Sequence, residues 1–120
     1  MPYNDRLAER IHRILADKEG FTERRMFGGI AFMLNGNMCC GVINDYLILR
    51  LGSEEAQRAL REPHAKEFDL TGRPTKGIIL VTPSGYASED SLRRWLRRAA
   101  DFTSSLQPKG SKNPKPRRRP

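Results

Sequence analysis

The chain has little cysteine, little histidine and no long apolar run. Its two cysteines, Cys39 and Cys40, are neighbours, which rules out a disulfide framework and lacks the CxxC or Cys/His spacing of a zinc site. They are expected to be reduced thiols, and no metal or cofactor is expected. No apolar stretch reaches the roughly 18 residues that a membrane helix needs. The first such stretch is broken by Arg6, Glu9, Arg10 and Arg13, which also excludes a signal-peptide core. The expected location is therefore the cytoplasm, with no membrane partner. His12 and His64 are the only histidines, and Ser, Cys and Asp occur in no spacing that supplies either with a nucleophile. No catalytic residue is assigned, and the chain is not expected to be an enzyme.

What is present suits one domain. A chain of 120 residues, 38% of them apolar, can bury about two thirds of its unfolded surface and fold without covalent staples. The formal charge of +8 is unevenly spread: Lys109, Lys112, Lys115, Arg117, Arg118 and Arg119 supply six positive charges with no acid among them, leaving +2 for residues 1–107. The expected organisation is a folded domain over 1–107 and a basic tail over 108–120, whose Pro, Gly and Ser content cannot build a core.

Periodicity orders the elements. Asn4 or Asp5 caps a helix whose apolar residues Leu7, Ile11, Ile14 and Leu15 recur at helical spacing, and Gly20 ends it. Met26 to Leu34 reads as one strand with both faces apolar, followed by the hairpin dipeptide Asn35-Gly36. Asn37 to Ile43 returns, Asn44-Asp45 turns, and Tyr46 to Leu51 makes a third strand with Leu47, Leu49 and Leu51 on one face. Ser53 introduces a short helix over Glu54 to Arg61, stopped by Pro63. Phe68 to Pro74 reads as a loop with at most a short extended piece, and Ile78 to Thr82 as a further strand. Ser88 caps the last helix, one side of which is Leu92, Trp95, Leu96, Ala99, Phe102, Thr103 and Leu106. The expected fold is α+β, a single domain with an antiparallel sheet, a meander plus one further strand, packed with three helices.

The run Arg24-Arg25-Met26-Phe27-Gly28-Gly29-Ile30-Ala31-Phe32-Met33 with Asn35-Gly36, then Leu49-Arg50-Leu51-Gly52, Thr71-Gly72-Arg73-Pro74 and Lys76-Gly77, resembles the TfoX N-terminal domain family, whose named members regulate natural competence. The resemblance runs from about Asn4 to Leu106. It implies a small α+β domain with an antiparallel sheet and carries over no catalytic residue. Transcription regulation through a regulatory protein partner is the function it implies.

Three groups of residues are candidates for function. Gly28-Gly29 inside a strand packs nothing, so the pair marks either a bulge or close internal packing, or else the approach of a ligand or partner, with Arg25 and Phe27 beside it. Cys39 and Cys40 on a strand are expected to point to opposite faces, one of them into the core. Arg93, Arg94, Arg97 and Arg98 fall on the side of the last helix away from Leu92, Trp95, Leu96 and Ala99. They form either a solvated surface or, with the six tail cations, a phosphate-binding nucleic-acid site insensitive to base sequence. Finally, apolar residues on both faces of the hairpin need two covering layers, and three helices leave part of a face for a second copy in a homodimer or for a partner protein. The leading reading is a non-enzymatic regulatory or adaptor domain acting by protein contacts, with the tail attaching to nucleic acid. The alternatives are a nucleic-acid-binding protein using the arginine faces, and a ligand-binding domain or enzyme centred on Gly28-Gly29.

Overall fold

A computed structural model describes residues 3–26, 28–69 and 75–107. Phe27, the Thr71-Gly72-Arg73-Pro74 segment and the cations of residues 108–120 lie outside the described residues. Three helices and a six-stranded antiparallel sheet form one α+β domain. In chain order the elements are α1 (Asp5–Leu15), β1 (Phe21–Met26), β2 (Gly29–Leu34), β3 (Asn37–Ile43), β4 (Tyr46–Arg50), α2 (Ser53–Ala59), β5 (Ala65–Glu67), β6 (Ile78–Val81) and α3 (Glu89–Ser104). Across the sheet the order is β1-β2-β3-β4-β6-β5.

The meander has four strands where periodicity gives three. Met26 pairs with Gly29, so the stretch read as one strand from Met26 to Leu34 is divided between two antiparallel strands, with Gly28 in the turn between them. Gly28 carries φ +75°, a conformation that costs a non-glycine residue about 1 kcal/mol. The turn escapes a periodicity reading because apolar residues flank it on both sides, and β1 escapes because Thr22, Glu23, Arg24 and Arg25 are all exposed on the sheet edge. Gly29 sits in β2 rather than in a bulge. A Cβ there would press on the Val42 carbonyl oxygen and lie 2.7 Å from Ile43 Cγ1. The close approach that requires this glycine is thus made by β3 of the same chain. A second surprise is β5, which pairs along β6 as the far edge of the sheet.

The helices all pack on one face. Leu7, Ile11 and Leu15 of α1, Ala56 and Ala59 of α2, and Leu92, Trp95, Leu96 and Ala99 of α3 share one core with Phe32, Leu34, Val42, Leu47, Leu49, Ile79 and Val81. Each fully buried aliphatic side chain there contributes about 1.5–3 kcal/mol. Asn4 caps α1 by accepting from the Leu7 N–H, and Ser88 caps α3 by accepting from Ser91. The connection into α3 is tied down by three bonds: Trp95 Nε1 donates to the Gly85 carbonyl at 3.1 Å, the Tyr86 hydroxyl to that of Asp45 at 2.6 Å, and Arg10 to that of Tyr86 at 3.0 Å.

The cysteines do not alternate. Pairing runs Phe32 to Cys40 and then Met33 to Met38, so Cys39 is the extra residue of a β-bulge. The bulge turns both thiols into the helix-covered core, where each is fully buried.

Two glycine substitutions separate these effects. Gly29→Ala is expected to lower stability by about 2–3 kcal/mol, because neither the Val42 backbone nor its ladder can yield. Gly28→Ala, at an exposed position of positive φ, should cost about 1 kcal/mol. Urea unfolding midpoints check the order, and a milder effect at Gly29 contradicts the packing described.

Candidate functional site

The sheet face away from the helices is apolar and is covered by no helix among the described residues. Cross-strand register places Met26, Ala31, Met33, Met38, Gly41, Ile43, Ile48, Ile78 and Leu80 on it, since their neighbours along each strand enter the helix-side core. Ala31 and Ile48 are buried, at 3% exposure each, yet stand outside that core. Met26, Met38, Ile43, Phe68 and Ile78 border a concavity of about 170 Å³ whose floor is Gly41. With no side chain at Gly41 the surface dips in the middle of the face.

The hairpin candidates divide. Gly28 is exposed in the turn, Gly29 is buried against β3, and Arg25 is exposed on edge strand β1, on the helix side of the sheet because it pairs with core residue Ile30. Phe27 is outside the described residues. The three do not enclose a site.

The arginines of α3 do not act alike. Arg98 hydrogen-bonds Glu55 at 2.7 Å and Glu62 at 3.2 Å and lies 4.8 Å over the Trp95 ring, clamping α3 to the α2 region. Arg93 pairs with Glu89 at 3.3 Å. Arg94 and Arg97 are exposed, and no carboxylate lies within ion-pair distance of either among the described residues. The free part of the helix face is therefore half of what a helical wheel suggests. Partial burial pushes the Glu55 carboxyl up, but hydrogen bonds from Arg98 and then Arg58 outweigh this and hold it below its ordinary value.

The titratable groups inside the domain are few. A hydrogen bond from Cys40 lowers the Cys39 thiol, against desolvation, while burial and that same bond push Cys40 well up. Cys39 is thus the thiol of the pair that ionises first. His12 Nδ1 meets Glu23 Oε2. His64 takes φ +75° in the loop before β5 and borders a cleft with Ser84, Ser91 and Arg94.

A six-stranded antiparallel sheet with helices on one face and an open apolar face on the other defines a two-layer α+β domain. A family model, the TfoX N-terminal domain, matches residues 13–103, and the chain belongs to that family. At the family level it is a regulatory, competence-related domain. Comparison with curated proteins and with solved structures gives no significant match.

Glu55 offers a pH test of the clamp. Its lowered folded value stabilises the fold above the ordinary carboxylate range, and this contribution is lost as pH falls through the folded value. Glu55→Gln is expected to cost about 1 kcal/mol at pH 7, a modest figure because the pair is partly solvated. The gap to the unmutated chain should close below about pH 4. Thermal melts of both proteins across that range check it, and a constant gap contradicts it.

Proposed function

We propose that this chain is a non-enzymatic regulatory adaptor that acts by protein contact through the open face of its sheet. The observation that carries the reading is the contiguous apolar surface of Met26, Met33, Met38, Ile43, Ile78 and Leu80, built on strands that the helices hold rigid from behind. Monomeric proteins seldom leave such a patch open unless it meets something. Methionine suits the role, since its flexible thioether adapts to partners of different shape. Leu80→Glu tests the reading: a protein retained by the unmutated chain from a cell extract should be lost. The unfolding free energy should change by no more than about 1 kcal/mol, because Leu80 is only half-buried. Retention of every bound protein by the variant defeats the reading.

A second contribution is electrostatic attachment to nucleic acid. Its support is the acid-free run of six cations from Lys109 to Arg119 and the unpaired Arg94 and Arg97 of α3. Anisotropy on duplex DNA across a salt series is expected to give a slope of log K against log[salt] near −5, since about six phosphates would be contacted. Replacing the six tail cations by Gln should abolish most of that slope. If it survives, α3 rather than the tail makes the contacts, and if the unmutated chain does not bind, the attachment is disproved.

A further inference from the structure

Resting on the reading of the open face as a protein-docking surface, the charges around that face narrow what docks there. One cross-strand row spans the whole sheet: Arg24 pairs with Ala31, Ala31 with Gly41, Gly41 with Ile48, Ile48 with Leu80, and Leu80 with Lys66. At roughly 4.8 Å per strand the row is about 24 Å long. Its middle is apolar and dips at Gly41, and a cation stands at each end. Arg50, at the end of β4, alternates to this side by register, but its guanidinium lies 5.7 Å from the Phe102 ring of helix α3, so its charge belongs to the helix layer and not to the row. The only carboxylates on the six strands, Glu23 and Glu67, belong to the opposite face, because they pair with core residues Phe32 and Ile79. The open face is thus apolar at its centre and cationic at its margins, with no acid among its described strand residues.

We infer that the occupant is an amphipathic helix of a partner protein whose apolar stripe ends in carboxylates. A helix rises 1.5 Å per residue, so about 16 residues span the row and place acids against Arg24 and Lys66 at its two ends. The Gly41 dip receives a large apolar side chain between them. Two other occupants fit the charge poorly. A second copy packed face to face brings Arg24 and Lys66 against a face that carries the same two cations and no acid among its described strand residues. Residues 108–120 bring six cations and no acid.

The probes are two synthetic fluorescein-labelled helices of that length with the same leucine stripe, one carrying Glu at both ends and the other Lys. With the full chain at low salt, the acidic helix is expected to bind about tenfold more tightly than its basic twin, a preference of the size two partly solvated ion pairs supply. The preference should shrink as salt rises. Arg24→Glu with Lys66→Glu, both exposed positions, should reverse it, and Leu80→Glu should abolish binding of both helices. Equal binding of the two helices to the unmutated chain overturns the inference while leaving the face a protein-docking surface. Doubling of the mass in solution, undone by Leu80→Glu, overturns it in favour of a second copy. If neither helix binds and the chain stays monomeric, both the inference and the docking function fall.

Discussion

Three helices can cover one face of a six-stranded sheet, and the rest of this structure follows from which face they take. The strands are apolar on both sides, so the choice leaves Ala31, Ile48 and their neighbours on a face that no helix covers among the described residues. Everything that fixes the helices lies on the other side: Arg98 joins α3 to Glu55 and Glu62, Trp95 bonds Gly85, and Arg10 reaches the loop before α3. That layer holds the sheet in shape from behind. The open face then needs no support from an occupant in order to exist, which is what a preformed docking surface requires.

Much of this order was legible in the sequence, and the failures have physical causes. The last helix, the Asn35-Gly36 hairpin and the division of β4 into a Leu47-Leu49-Leu51 face and an Ile48 face all follow from spacing, since each obeys its local period. The turn at Gly28 did not, because the sequence on both sides of it is apolar and hides the break. Cys39 and Cys40 misled for the converse reason. Strand alternation holds only along an unbroken ladder, and the one extra residue of the bulge is decided by how β2 and β3 settle against α3, a tertiary matter. The apolar excess of the hairpin, by contrast, did announce a sheet whose second face is apolar too.

Charge was legible by position and illegible by partner. A helical wheel groups Arg93, Arg94, Arg97 and Arg98 because it sees only α3. The acids that engage Arg98 come from α2 and the turn after it, more than thirty residues away in sequence. A guanidinium offers five donors in a fixed fork, so one residue can serve two carboxylates and still lie over an indole. What a sequence reads as a surface for phosphates is thereby divided between a structural clamp and a smaller exposed remainder.

The margins of the open face invite a simpler account, in which Arg24 and Lys66 merely protect edge strands. Charged residues on β1 and β5 do discourage edge-to-edge pairing with other sheets. That purpose, however, is indifferent to sign and to face, and both edges here carry both signs. Glu23 stands beside Arg24, and Glu67 beside Lys66. Strand alternation sends both acids, with Arg25, to the helix side and leaves Arg24 and Lys66 alone on the open side at the two edges of the sheet. A one-residue shift of either strand would invert that arrangement. Edge protection explains why charges are present, whereas the common sign at the two ends of one apolar row is a property of the face, and a face of one sign selects among partners by their charge.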